Sequence, residues 1–186
     1  MTHRRRRLAE ATAVAASLLA TMVVTPAAQA ESNDRAGVNA LRKLTERYHD
    51  VAQALADGFT DPRMGLPPGV PGSVTCVAAP GLGGMGYHFV NPSRVDSKLR
   101  WKEPEALLYR TGDDGQLELT GVEYIVVDAD QDLSTVETHQ VFGHRFDGPM
   151  EGHTPGMPRH YDLHAWIWLD NPAGTWSEWN PAVRCP

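Results

Sequence analysis

The sequence predicts an α+β fold, in which an N-terminal amphipathic helix packs on a curved, mainly antiparallel sheet that curls towards a small barrel or cone. Three observations lead to this class. Residues 31–57 carry apolar side chains at helical spacing, residues 161–168 alternate between two faces as a strand does, and residues 105–127 have the pattern of a hairpin. With two further strand-like segments, they predict a sheet of about five to seven strands.

The predicted helix covers residues 31–57 and has a single apolar stripe. Ser32 or Asn33 is placed to cap its first turn, and Gly58 is the residue type that ends a helix in the left-handed conformation. Because one apolar stripe needs a partner surface, the helix is expected to lie across the sheet. The stripe consists of Val38, Leu41, Leu44, Tyr48, Val51 and Leu55.

The strands are predicted from period-two alternation and from the turn residues that end them. The hairpin joins residues 105–109 to residues 116–127 through the turn sequence Thr-Gly-Asp-Asp-Gly, which favours an antiparallel pair. Residues 85–90, 136–146 and 161–168 are predicted to add further strands.

The first thirty residues have the features of a signal peptide. Residues 4–7 are four arginines, residues 11–24 are almost wholly apolar or small, and Ala28-Gln29-Ala30 has the small-x-small form of a cleavage site. The apolar run is shorter than the ~20 residues that span a bilayer. We therefore expect residues 1–30 to direct secretion, by the general route or by twin-arginine export, and residues 31–186 to form one globular domain.

The net charge limits the classes of binding partner, and the two cysteines indicate the cellular compartment. The whole chain carries a net charge of −6, and without residues 1–30, which hold four Arg and one Glu, it carries about −9. This balance argues against nucleic acid and anionic membrane as partners, and leaves a small molecule or a metal ion. Cys76 and Cys185 are predicted to form one disulfide in an oxidising compartment.

Three residues from separate predicted strands are candidates for a metal site. His88 alternates with the apolar Tyr87 and Phe89, and His164 shares a face with Asp162 and Trp166. Glu123 is predicted to be the one carboxylate in an otherwise apolar row, which also contains Leu117, Leu119, Ile125 and Val127. A carboxylate in such a row is costly to bury without a cation or a hydrogen-bond donor.

Two imidazoles and one carboxylate form the ligand set of catalytic zinc sites and of facial iron sites. We therefore predict that His88, Glu123 and His164 bind a divalent transition metal such as zinc, iron or copper, with His144 as a possible fourth ligand. The sequence contains no H-E-x-x-H motif, no Cys cluster and no EF-hand loop, so the hypothesis depends on strand phase. Donor atoms farther apart than ~8 Å would exclude a shared ion.

A non-metal explanation stays open for the same residues. The histidines could be core residues in a polar network, with Glu123 paired to Arg100 or Arg110, in a non-catalytic ligand-binding or interaction module. A pocket walled by aromatic side chains fits either function, and its candidates are Tyr87, Tyr124, Trp166 and Trp168. A serine hydrolase is not indicated because the G-x-S-x-G motif is missing. Whether the metal site is catalytic is left open.

Three short motifs extend this picture to a family. The combination Gly84-Met85-Gly86-Tyr87-His88, Val122-Glu123-Tyr124 and Leu163-His164-Ala165-Trp166-Ile167-Trp168 resembles a family of small exported bacterial proteins of unknown function. The resemblance covers most of residues 31–186. It implies an exported protein with a single compact domain, and it implies no catalytic residue.

Overall fold

The computed structural model describes residues 25–66, 75–153 and 156–186. The predicted signal segment lies outside the described residues up to residue 24, as does the Pro-rich stretch at residues 67–74. The helical elements are α1 (Pro26–Thr45), a 3₁₀ helix (Glu46–His49) and α2 (Val51–Ala56). Among the helices that the structure describes, none combines the length and the apolar character needed to cross a membrane.

The main sheet confirms the α+β class. It has six antiparallel strands in the order β1-β2-β3-β4-β8-β7, and it curls strongly into a half-barrel covered by the helical segment. The barrel is not closed, because β1 and β7 remain the two edges within the described residues. The strands are β1 (Val77–Ala79), β2 (Gly83–Val90), β3 (Ala106–Thr111), β4 (Leu117–Val127), β7 (Asp147–Met150) and β8 (His160–Ala165), and a separate pair is formed by β5 (Gln140–Val141) and β6 (His144–Arg145).

The helical segment differs from the predicted single helix at its start and in its middle. It begins at Pro26, where the hydroxyl of Thr25 accepts a hydrogen bond from the Ala28 amide, so neither Ser32 nor Asn33 is the cap. It breaks at Asp50, which has an extended backbone and caps α2 through its side chain. As predicted, Gly58 follows the last helix with a φ of 91°.

The break rotates the second part of the apolar stripe. Leu41 and Tyr48 are buried against the sheet as predicted, whereas Leu44, which lies in α1 ahead of the 3₁₀ turn, is about two-fifths exposed. Beyond the break, Leu55 is exposed to the same extent. Ala54 is fully buried instead. A straight helix would have kept the spacing of three and four in register, and the 3₁₀ turn changes that spacing.

A β-bulge in β4 divides the row predicted for Glu123, because Ile125 and Val127 stay on its face while Leu117 and Leu119 lie on the other. Tyr109 pairs with Leu119 and Leu108 pairs with Gly121, so Thr120 is an extra residue. The extra residue reverses the alternation, which places Leu119 on the helix-covered face and Glu123 on the opposite face. A Cβ atom on Gly121 would lie 2.4 Å from the carbonyl oxygen of Ala165, so this close approach requires glycine.

Two other predicted strands are shorter than expected. Within residues 136–146, Phe142 and Gly143 both have positive φ angles of 51° and 92°. They form a tight turn between β5 and β6, so this segment is a small hairpin rather than one strand. The last strand ends at Ala165, and the chain has left the sheet before Trp168.

The C-terminal tail returns to the sheet and is held by the predicted disulfide. The Cys76–Cys185 bond has a sulfur–sulfur distance of 2.07 Å. Upstream of it, Asn180 exchanges backbone hydrogen bonds with Gly84, and Val183 packs with Leu108 on the face that is not covered by the helices. The tail therefore contributes part of the cover of that face.

Loss of the disulfide should destabilise the protein without changing the fold. The bond joins residues 109 positions apart, for which loop-closure entropy gives an upper figure of about 4–5 kcal/mol. We expect the free energy of unfolding of the Cys76→Ser/Cys185→Ser double variant to fall by up to this amount. Its urea midpoint should fall accordingly. Equal urea midpoints for the double variant and the wild type would contradict the assignment, as would free thiols in the native protein.

Candidate metal centre

Three neighbouring strands bring His88, Glu123 and His164 to one face of the sheet. Glu123 on β4 lies directly opposite His164 on β8, and opposite Ala106 on β3. His88 on β2 pairs with Leu108, two residues along β3 from Ala106. Because side chains two residues apart in a strand share a face, the three side chains converge on the side opposite the helices.

The donor atoms of this group lie close together. The Nε2 atoms of His88 and His164 are 3.4 Å apart. Glu123 divides its two oxygens between them, because Oε2 lies 3.8 Å from His88 Nε2 and Oε1 lies 3.8 Å from His164 Nε2. Each residue thus offers one ligand atom within 4.8 Å of the others. The separations of 3.4 and 3.8 Å are below the ~4.4 Å that two donors at ~2.2 Å from one ion can span.

The separation of the two imidazole nitrogens matches a four-coordinate ion better than a six-coordinate one. Donor atoms at about 2.0–2.2 Å from a tetrahedral zinc ion are about 3.3–3.6 Å from one another, and neighbouring donors of an octahedral ion are about 2.8–3.1 Å apart. The separation of 3.4 Å between the imidazole nitrogens falls in the tetrahedral range. The distances of 3.8 Å from the imidazole nitrogens to the Glu123 oxygens are longer than either range.

Burial keeps both imidazoles neutral. Burial, with a smaller contribution from the nearby His153, lowers the pKa of His88 to about 4. It lowers the pKa of His164 to about 3, with contributions from His88 and His153. Both histidines are therefore in the metal-binding form at neutral pH. The His88 side chain is 19% exposed and that of His164 is 1% exposed, so an ion would reach the group from the His88 side.

The carboxyl group of Glu123 is held in an unfavourable environment for its charge. Burial raises its pKa well above the ordinary value of 4.5, and the neighbouring carboxylates of Asp162 and Glu105 raise it further. Asp162 and Glu105 thus place further carboxyl groups near Glu123, and a cation among them would stabilise the ionised form of Glu123. A metal ion at this point would displace the proton and neutralise the carboxylate.

The arginines suggested as partners of Glu123 are engaged elsewhere. Arg100 forms an ion pair with Asp96 at 2.7 Å, and Arg110 forms one with Glu118 at 2.8 Å. Glu123 therefore does not belong to either of these surface pairs.

His144 lies apart from the group. Its Nε2 atom is 3.2 Å from the carboxylate of Asp34 in α1, and its ring stacks on Trp176 at 4.5 Å. The β5–β6 turn, which the sequence did not reveal, places this residue near the helices rather than beside His164. The group therefore contains three of the four residues predicted as ligands.

The four aromatic residues considered as pocket walls separate between the two faces. Tyr87 and Tyr124 are buried in the core on the helix-covered face, where the Tyr124 hydroxyl donates to the carbonyl oxygen of Trp101. Trp168 also lies on the helix side and donates from Nε1 to Thr45 Oγ1. Trp166 alone of the four flanks the candidate ligands, with its ring stacked at 6.4 Å from that of His164.

Two more polar residues share the face and were missed as ligands. His160 and Asp162 precede His164 on β8 at intervals of two, and their exposed fractions are 1% and 2%. The pattern His160-x-Asp162-x-His164 was readable from the same alternation that placed His164. Burial also raises the pKa of Asp162 to about 7, an effect strengthened by Asp147 and Glu178.

Glu105 is a further buried carboxyl group that alternation did not reveal. It precedes β3, is fully buried, and accepts a hydrogen bond from the Ile125 amide at 3.0 Å. Burial raises its pKa to about 7. Its contact with the backbone of β4 indicates a role in holding the strand that carries Glu123.

The chain matches no protein-family model, no curated protein and no solved structure. The resemblance to a family of small exported bacterial proteins therefore stays a prediction, and the functional argument depends on the geometry of the site.

The raised pKa of Glu123 predicts a pH dependence of stability in metal-free protein. The folded state keeps the proton to a higher pH than the unfolded chain, where the pKa is near 4.5, so stability contributed by this group falls as pH rises above that value. With a chelator present, Glu123→Gln should lose less stability than the wild type between about pH 5 and pH 8.

The matched control is Glu118→Gln, because Glu118 is an exposed carboxylate paired with Arg110. This variant should keep the pH dependence of the wild type. Urea unfolding midpoints at several pH values provide the measurement. Parallel pH profiles for Glu123→Gln and the wild type would show that Glu123 titrates normally.

Proposed function

We propose that the protein is an exported metal-binding protein in which His88, Glu123 and His164 bind one divalent transition metal ion. The observation that carries the proposal is the spacing of the donor atoms, at 3.4 Å between the two imidazole nitrogens and 3.8 Å from each to a Glu123 oxygen. Three strands converge to give this spacing, and no flexible loop is needed to complete it. Rigid elements hold metal ligands more accurately than loops do.

Among the three candidate metals, zinc is favoured by the separation of the two imidazole nitrogens. Imidazole nitrogen and carboxylate oxygen suit zinc, iron and copper alike, so ligand chemistry does not separate them. Donor spacing near the tetrahedral value favours zinc, which prefers four-coordinate geometry, over iron with its octahedral facial triad. The separation of the two imidazole nitrogens is therefore the observation that supports zinc.

Three protein ligands leave one position on a four-coordinate ion. Catalytic zinc sites share this feature, since the fourth position binds water and lowers its pKa to about 7. The partial exposure of His88 gives that position access to solvent. The site thus has the ligand number of a metal-dependent enzyme, and hydrolysis is the reaction class for which such a water is suited.

The compartment proposed for this function is extracellular. The disulfide between Cys76 and Cys185 supports it, because such bonds persist in oxidising environments. The arginine run and the apolar stretch within residues 1–30 also support export, because they are features of a signal peptide.

A metal-free polar network is the second candidate, and the contact between the two imidazoles favours it. One Nε2 could donate to the other at 3.4 Å without an ion. That distance is long for a hydrogen bond, and the Glu123 oxygens at 3.8 Å lie beyond hydrogen-bond range of both rings. Such a network would leave a buried carboxyl group poorly satisfied, so the metal explanation accounts for more of the geometry.

Removal of one ligand should release the ion. Protein expressed without a histidine tag should contain bound metal by elemental analysis, and His164→Ala should lose about one ion per chain because two ligands leave an incomplete coordination shell. Glu123→Gln should weaken zinc binding at least tenfold, about 1.4 kcal/mol. Isothermal titration with zinc measures the affinity.

The matched control is His144→Ala, since His144 is a histidine outside the group that contacts Asp34. Its metal content should equal that of the wild type. An unchanged ion count in His164→Ala, or protein that binds no zinc, iron or copper, would leave the structural network as the explanation.

A further inference from the structure

A second group of ligand-type side chains lies on the same face of β8 and is not used by the first site. His153, His160 and Asp162 each offer one ligand atom, and these atoms lie within 4.8 Å of one another. The rings of His153 and His160 meet edge to face with centroids 4.9 Å apart. The group therefore repeats the composition of the first, with two imidazoles and one carboxylate.

His160 is oriented as a metal ligand would be. Its Nδ1 atom lies 3.1 Å from the carbonyl oxygen of Pro158, and a carbonyl can only accept, so Nδ1 carries the proton. The lone pair of the neutral ring is then on Nε2. That atom is buried and has no hydrogen-bond partner within residues 25–66, 75–153 and 156–186. A histidine that donates from one nitrogen to a carbonyl and presents the other is the usual arrangement at metal sites.

Asp162 supplies the second unpartnered atom. Its Oδ1 oxygen is buried and accepts no hydrogen bond from any residue that the structure describes. The residue is 2% exposed, so water reaches this oxygen poorly. Two unpartnered polar atoms in one buried group are costly, because each loses its hydration without replacement. A cation between them would satisfy both.

We propose that His153, His160 and Asp162 bind a second divalent transition metal ion, next to the first along β8. His160 and Asp162 provide the buried ligands, and the exposed His153 completes the set from the loop that follows β7. Asp162 and His164 are two residues apart on one strand, which separates their Cα atoms by about 7 Å. The two ions would thus lie side by side on one face of the sheet.

The arrangement explains why His153 influences both groups. It is close enough to His88 and His164 to lower the pKa of each, although it belongs to the second group. Asp162 likewise contributes to the raised pKa of Glu123. The two groups therefore lie close enough together to influence each other's charges.

Zinc stoichiometry tests the proposal independently of the first site. Metal-free wild-type protein with its disulfide intact should bind two zinc ions per chain in equilibrium dialysis. His153→Ala and Asp162→Asn should each bind one, Glu123→Gln should bind one, and the His153→Ala/Glu123→Gln double variant should bind none. The His49→Ala variant is the control, because His49 is exposed and packs on Trp168 on the helix side.

The variants separate failure of this proposal from failure of the first. A wild type that binds one ion, lost in Glu123→Gln but kept in His153→Ala, would overturn the second site alone. One ion that is lost in His153→Ala and kept in Glu123→Gln would support the second site and refute the first. His153 is exposed, so His153→Ala should keep the circular dichroism spectrum of the wild type and gives a readout even if Asp162→Asn fails to fold.

Discussion

Burial of the Glu123 carboxyl group is the constraint on which the rest of the site depends. A buried carboxylate without a cation is strongly disfavoured, and the pKa of Glu123 is raised accordingly. The antiparallel register of β4 and β8 sets Glu123 opposite His164, and the bulge at Thr120 turns both away from the helix-covered core. A metal ion would relieve this cost, so the geometry that weakens the metal-free fold is also the geometry that supports the proposed metal site.

The two faces of the sheet differ in polarity. The face beneath the helices is apolar and aromatic, and the Tyr109 hydroxyl in it donates to the backbone of Tyr48, which ties the helical segment to β3. The opposite face carries the histidines and buried carboxyl groups, and the C-terminal tail with its disulfide crosses part of it. The first face supplies the packing that allows the second to retain poorly satisfied polar groups.

Local patterns were sufficient for much of the fold and for the three residues that the sheet brings together in the first group. Alternation placed His88 and His164 correctly, and the turn between β3 and β4 identified the hairpin. The bulge at Thr120 was not predictable, because it depends on how β4 meets its neighbour. Similarly, the alternation of side chains predicted that Trp168 lies beside His164. This was wrong because the strand ends at Ala165. His153 reaches the second group from a loop, where no periodicity exists to locate it.

The most direct test of the metal site is an anomalous difference map from crystals of the zinc-treated protein, recorded on both sides of the zinc absorption edge. The account predicts a peak at about 2.0–2.2 Å from Nε2 of His88, Nε2 of His164 and one oxygen of Glu123. Zinc-treated crystals with no peak at this position, and with the two imidazoles in a direct hydrogen bond, would contradict it.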